Sequence, residues 1–134
     1  MASAKRLEEL VIWQLACELR DGISAALSTG TGARDWDFKG QIERSSRSAP
    51  ANIAEGFGYF KPRPFAKYLR IARASVMETR NHISEGSTKG HFSVLEAREF
   101  LRQASRILAG VSKLIRYLDS CDPNMDLYPR DFEP

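Results

Sequence analysis

The last part of the chain carries one uninterrupted helical pattern, which limits the possible fold more than any other feature. Apolar residues recur there in alternating steps of three and four and give a heptad seam. The seam consists of Val94, Ala97, Leu101, Ala104, Leu108, Val111, Ile115 and Leu118. A second apolar edge consists of Phe100, Ile107 and Leu114. A helix that is apolar on two edges needs more than one neighbouring helix, so the pattern predicts a bundle.

Three weaker helical patterns precede this one. In total we predict four helices, over residues 8–28, 35–60, 64–86 and 93–119. The glycines and hydroxyl residues of segment 28–32 interrupt the first pattern. Asp35 and Asp37 are alternative N-caps for the second helix, and Ser93 with Glu96 has capping-box spacing for the last.

Because no strand signal and no internal repeat appear, residues 1–121 are predicted to form a single all-α domain. The expected architecture is an antiparallel up-and-down four-helix bundle. Residues 122–134 have no periodicity and are predicted to form a flexible acidic C-terminal tail. This tail is either a solubilising segment, a docking element or a screen over the basic residues.

Composition indicates an ordinary globular chain of 134 residues, with 43% hydrophobic and 28% charged residues. The two cysteines, Cys17 and Cys121, lie far apart and match no metal or redox spacing. The amino terminus lacks the apolar block of a signal peptide, and no window approaches the roughly 20 apolar residues of a membrane span. We therefore expect a cytoplasmic protein with no membrane association.

Residues 41–58 combine a helical pattern with an unusual number of polar residues. At helical spacing, Arg44, Ser48, Asn52 and Glu55 fall on one stripe, which must find partners on neighbouring helices or subunits if it is buried. Pro50 lies within this helix, where it removes an amide donor and predicts a bend. The alternative is two shorter helices.

The same stretch resembles a known signature. Its Gln41-Ile42, Arg44, Ser48, Pro50, the run 52–56 and Gly58 resemble the four-helix-bundle family of 23S ribosomal RNA intervening-sequence proteins. Further similar positions are Leu10, Trp13, Gln14, Leu69, Ile71, Ala72, Ser75 and Glu78. Ala74 and Tyr59 depart from the family pattern, which usually has glycine and often a basic residue there.

The resemblance implies a small bacterial cytoplasmic protein that assembles as a ring-like homopentamer and has no enzymatic activity. The chain is also similar to accessory proteins of diversity-generating retroelements, which bind a reverse transcriptase and nucleic acid. We interpret the motif as structural or interfacial. Its residues are Gln41, Arg44, Ser48, Pro50, Asn52, Glu55, Gly56 and Glu78.

Basic residues are concentrated in the middle of the chain. Residues 39–116 hold 15 Lys and Arg against 6 Glu, a net charge of +9, whereas residues 119–134 carry 1 basic and 5 acidic side chains, or −4. Many of the basic residues form helical rows, namely Arg44 and Arg47; Arg63, Lys67, Arg70 and Arg73; and Arg98, Arg102, Arg106 and Lys113.

Such rows suit phosphate contacts, so one hypothesis is that they bind structured RNA or a ribonucleoprotein. Tyr59 and Phe60 would then either stack on bases or pack at a helix end. The alternatives for the rows are solvated faces or ion pairs with Glu43, Glu78, Glu96 and Glu99. A protein-binding scaffold with no nucleic-acid role is the alternative function.

No catalytic pattern is evident. Di-iron bundles place a glutamate and a histidine three apart, whereas Glu78 and His82 are four apart and His91 lies in a predicted loop. Neither a glycine-rich phosphate loop nor a nucleophile motif appears. We therefore predict no enzyme, no metal site, no cofactor and no small-molecule substrate.

Overall fold

The computed structural model describes residues 4–128 and is all-α, with no strand in that range. A short 3-10 helix, Leu7–Glu9, precedes five α-helices. These are α1 (Val11–Ala26), α2 (Gly30–Arg34), α3 (Trp36–Phe57), α4 (Pro62–Thr88) and α5 (Val94–Ser120). Four of them are long and match the four predicted patterns, whereas α2 is a short helix at a segment where only an interruption was expected.

The two start signals read from the sequence act as caps. Asp35 is the N-cap of α3, and its Oδ1 accepts a hydrogen bond from the Phe38 amide at 3.3 Å. Ser93 and Glu96 form the complete capping box of α5. Pro50 lies buried inside α3, which is continuous, so the alternative of two shorter helices is wrong.

One core lies between the four long helices. Helix α3 packs against α1 and α4, and α5 packs against the same two helices. Each long helix contributes fully buried aliphatic side chains, among them Ile23, Ile42, Ile53, Leu69, Ile83 and Ile107. The fold is therefore a helical bundle.

Both apolar edges of α5 enter this core. Its buried side chains are Ala97, Phe100, Ala104, Ile107, Val111, Leu114, Ile115 and Leu118. Leu101 and Leu108 are half-buried and Val94 is 70% exposed, although all three belong to the heptad seam. The side of α5 that lies between its two apolar edges therefore faces the core, as expected for a helix with several neighbours.

Gly56 permits a close approach between α3 and α4. A Cβ atom at this position would lie 2.8 Å from Tyr68 Cβ and 3.2 Å from the Phe65 carbonyl oxygen. Distances this short mean that any larger residue would push the two helices apart. The glycine in the motif therefore has a packing role.

The prediction of a free tail from residue 122 onward is corrected for residues 122–128. These residues lie against the turn between α3 and α4, where the Leu127 amide donates to the Phe60 carbonyl oxygen at 2.9 Å. Leu127 and Tyr128 are partly buried against the core. The apolar and aromatic side chains of Leu127 and Tyr128 explain the difference, since a period is not needed to bury two side chains. The rest of the predicted tail, residues 129–134, lies outside the described residues.

None of the helices within residues 4–128 is long and apolar enough to cross a membrane.

Candidate functional site: a polar seam and basic faces

Part of the polar stripe of α3 forms a seam with α4. Ser48 Oγ lies 2.8 Å from Ser75 Oγ, and Asn52 Nδ2 donates to Ser48 O at 2.9 Å and Ser48 Oγ at 3.0 Å. One turn away, Thr79 Oγ1 lies 2.8 Å from Ser45 Oγ. Polar groups of one chain therefore satisfy the Ser48 hydroxyl and the Asn52 amide nitrogen without a second subunit.

The two charged members of the stripe lie outside this seam. Arg44 and Glu55 are exposed on α3, and neither forms an ion pair or hydrogen bond with residues 4–128. Gln41, also exposed, donates to Asp37 Oδ2 at 3.2 Å. The motif thus divides into an internal seam and an outer face that carries both signs of charge.

Glu78, the last residue of the motif, lies beside a buried imidazole. His82 is only 7% exposed, and within residues 4–128 neither ring nitrogen has a hydrogen-bond partner. Glu78 Oε1 lies 3.7 Å from His82 Nε2, and Glu85 Oε1 lies 3.6 Å from His82 Nδ1. Among the described residues, no three His, Cys, Asp or Glu side chains are grouped where they could hold a metal ion.

Six side chains of the basic rows are exposed and make no ion pair or hydrogen bond with the part of the chain that the structure describes. They are Arg44, Arg47, Arg63, Arg98, Arg106 and Lys113. Lys67 is also exposed, and its Nζ lies 5.6 Å from the centroid of the Tyr68 ring. These cations remain available to an external anion.

Three other members of the rows have partners. Arg70 Nη2 forms an ion pair with Asp119 Oδ2 at 2.5 Å, and the half-buried Arg73 donates to Ser112 Oγ at 3.4 Å. Arg102 makes two hydrogen bonds to Glu99, at 2.9 and 2.6 Å. This pairing lowers the pKa of Glu99 to about 2.

The expected ion pairs with the other glutamates are not seen among the described residues. Glu43 lies near Lys39 instead, and Glu96 serves the capping box. The alternative of ion pairs with these glutamates therefore holds for Arg102, whereas Arg70 pairs with Asp119. The six exposed cations fit either a solvated face or contact with an external anion.

Members of the α4 and α5 rows lie toward different neighbouring helices. Arg70 and Arg73 reach α5, which places their row at the α4–α5 boundary. The pKa of Arg102 is raised mainly by Glu99, with a smaller contribution from Glu18 on α1. Lys113 lines a cleft of about 490 Å³ between the start of α1 and α5. Two members of the α5 row, Arg102 and Lys113, thus lie toward α1.

Two tyrosines form an exposed stack beside the α4 row. The rings of Tyr59 and Tyr68 are 5.4 Å apart and nearly parallel, and Tyr59 is 45% exposed. Phe60, by contrast, packs its ring against Tyr128 at 5.1 Å. Phe60 is therefore a packing residue at the helix end, whereas the Tyr59 ring remains accessible for stacking.

Sequence reasoning missed a linkage at the opposite end of α3 and α4. His91 Nε2 lies 2.9 Å from Asp35 Oδ2, and His91 Nδ1 lies 2.9 Å from the Thr31 hydroxyl oxygen. Since an ionised carboxylate only accepts, Nε2 donates to Asp35, and Nδ1 shares a second hydrogen bond with the Thr31 hydroxyl. The histidine thereby ties α2 and the start of α3 to the loop before α5. The only sequence signal was a histidine in the glycine-containing loop before the last helix.

Comparison with protein families gives one result. A family model described as 23S rRNA-intervening sequence protein matches residues 8–113. This range spans α1 to α4 and most of α5, and it includes the seam and every member of the basic rows. No curated protein matches the chain.

Proposed function

The chain belongs to the family of 23S rRNA-intervening sequence proteins, and on this premise we propose that it is a non-enzymatic, oligomeric helical-bundle protein that binds structured RNA or a ribonucleoprotein. Basic helix faces would supply the contacts, with no cofactor or small-molecule substrate. We place this role in the bacterial cytoplasm, as the family resemblance implies.

The observation that carries the proposal is the set of exposed cations without partners, defined above by six residues. Like charges four residues apart, such as Arg98 and Arg102, weaken an isolated helix by about 0.2–0.5 kcal/mol per pair. Neither Arg98 nor Arg106 has a carboxylate within ion-pair distance among residues 4–128, and Arg106 has only a weak electrostatic interaction with Glu99. Phosphate groups would offset this cost, and the resulting affinity would depend strongly on salt and weakly on sequence.

A matched set of arginine variants tests the proposal. We expect Arg98→Gln with Arg106→Gln to weaken binding to a fluorescein-labelled RNA stem-loop and to reduce the salt-dependence slope by about two. Arg102→Gln on the same helix is the control, since Glu99 already occupies its guanidinium, and it should change the slope by less than one. RNA affinity that is undetectable for the unmodified protein at low salt would reject the proposal.

For the architecture, we propose an antiparallel up-and-down arrangement of the four long helices and assembly into a homopentamer. The short connections 58–61 and 89–93 join helices that pack against each other, which supports antiparallel neighbours. The outer face of α3 and α4 supports assembly, because Ile71, Arg44 and Glu55 are exposed and neither charged residue has an ion-pair partner within residues 4–128. Five copies would also repeat each weak phosphate contact along one RNA. Light scattering after gel filtration measures the mass directly.

One observation favours the alternative function, a protein-binding scaffold without an RNA role. Three large apolar side chains are exposed within four residues of Asp35 or His91 in the sequence, namely Trp36 at 84%, Val94 at 70% and Leu95 at 73%. Exposed large apolar side chains suit a protein partner better than a phosphate backbone. Copurification that nuclease abolishes would support RNA, whereas a stoichiometric protein that survives nuclease would support the scaffold.

A further inference from the structure

The carboxyl-terminal end of the described chain is acidic and lies against the most basic part of α4. Residues 119–128 contain three aspartates, Asp119, Asp122 and Asp126, and no basic residue. The facing segment 61–70 contains four cations, Lys61, Arg63, Lys67 and Arg70, and no acidic residue. The charges are therefore −3 against +4.

Two ion pairs connect these segments at either end of the basic one. Lys61 Nζ lies 2.8 Å from Asp126 Oδ1 and donates to the Asn124 carbonyl oxygen at 2.8 Å. Arg70 pairs with Asp119 at 2.5 Å. Arg63, between them, is exposed and makes no ion pair within residues 4–128. The aspartates therefore occupy the two outer cations and leave the middle of the row open.

Contacts that do not depend on charge hold residues 122–128, here named the strap, in place. The Tyr128 ring stacks on Phe57 at 4.3 Å, and its hydroxyl donates to the Phe57 carbonyl oxygen. Burial raises the pKa of Tyr128. Together with the Leu127 amide bond to Phe60, these contacts fix the strap on the turn that leads into α4.

We propose that the strap is an autoinhibitory element that competes with RNA phosphates for the amino-terminal end of α4. This inference rests on the proposed function. The Asp126 carboxylate pairs with Lys61 at the position that a phosphate oxygen would take. The neighbouring aspartates repel an approaching polyanion. The ion pairs are exposed and each contributes little to stability, so RNA can displace them. Because Tyr128 and Leu127 hold the strap in place without its ion pairs, the aspartates stay near Lys61 and compete with each RNA that approaches.

The experiment compares charge removal at the strap with equal charge removal elsewhere. Asp122→Asn with Asp126→Asn keeps the local shape of the strap but removes two negative charges. Asp37→Asn with Glu85→Gln removes two exposed charges near the other end of α4 and is the control. Binding of the same labelled RNA stem-loop is measured over a salt series. We expect the strap variant to bind several-fold tighter at low salt, with a slope steeper by about one as Lys61 gains a phosphate.

A third pair of substitutions locates the effect. In a background of Lys61→Gln with Arg63→Gln, the strap variant should give no tightening. Tyr128→Ala releases the strap without changing charge and should also tighten binding, with folding checked by circular dichroism.

The outcomes separate the two proposals. If no form of the protein binds RNA at low salt, the proposed function fails and this inference fails with it. If the unmodified protein binds but the strap and control variants tighten equally or not at all, only the inference is overturned. Tightening that persists without Lys61 and Arg63 also overturns it.

Discussion

The hydroxyl oxygens of Ser48 on α3 and Ser75 on α4 lie 2.8 Å apart, so two helices that the chain joins by a short turn also meet through polar side chains. Ser75 also donates to the Ile71 carbonyl oxygen at 3.1 Å, and Asn52 supplies a donor to Ser48. The seam is therefore satisfied within one chain, and it fixes how α3 and α4 align along their length.

The first prediction concerns Asn52. Asn52→Leu removes the donor that serves both Ser48 O and Ser48 Oγ at a half-buried position. We expect the free energy of unfolding to fall by about 1 kcal/mol, measured by urea denaturation. Asn81→Leu on α4 is the control, because Asn81 is exposed and makes no hydrogen bond within residues 4–128. Equal stabilities for the two variants would contradict a role for the seam.

The second prediction uses two glycines of α3. Gly56→Ala places a methyl group 2.8 Å from Tyr68 Cβ, so we expect a loss of about 1–3 kcal/mol in the free energy of unfolding. At Gly40, the nearest atom to a new Cβ is Arg44 Nη2 at 4.0 Å. Gly40→Ala should therefore stabilise the helix by about 0.5–1 kcal/mol. Thermal melting of both variants measures the contrast, and a shift of the same sign in both would refute the packing argument.

Local signals in the sequence predicted the elements well. The Ser93–Glu96 spacing identified the start of α5, and the run of aliphatic residues predicted that this helix has several neighbours. Pro50 left two alternatives open, since the local sequence does not say whether packing will hold the helix together. In the structure α3 continues through Pro50, which is buried, so the chain forms one helix here.

Features that depend on distant residues were not predictable in the same way. The Thr31–His91 contact joins residues 60 apart, and the Tyr128–Phe57 contact joins residues 71 apart. No periodic pattern encodes either pairing. The basic rows were found from spacing, but the neighbouring helix that each member lies toward depends on how each helix is rotated about its axis.

The third prediction concerns acid sensitivity at Asp35. Its pKa is lowered first by the hydrogen bond from His91, then by the Phe38 amide and by Lys89. A folded-state pKa below the unfolded value of about 4 means that the ionised carboxylate stabilises the fold above that pH. The contribution is lost as the pH falls through the folded-state pKa.

Asp35→Asn tests this dependence, because asparagine can still cap α3 but carries no charge. We expect the unmodified protein to be more stable than the variant at neutral pH and the difference to close on acidification. Urea denaturation at a series of pH values below neutrality measures it. A difference that stays constant down to the most acidic condition would show that the charge of Asp35 is not responsible.

The last prediction addresses assembly through the outer face of α3. Arg44 and Glu55 lie on one stripe, are both exposed and have no partner within residues 4–128, although they carry opposite charges. At a rise of about 1.5 Å per residue they are too far apart to pair within one helix, so a second copy is the natural source of each partner.

If Arg44 of one copy pairs with Glu55 of the next, Glu55→Arg should lower the assembled mass measured by light scattering. Adding Arg44→Glu to the same chain should restore the mass, because the pair is then reversed rather than lost. Arg116→Glu on α5 is the control and should leave the mass unchanged. A monomeric unmodified protein, or a double variant no larger than the single one, would exclude this pairing as the basis of assembly.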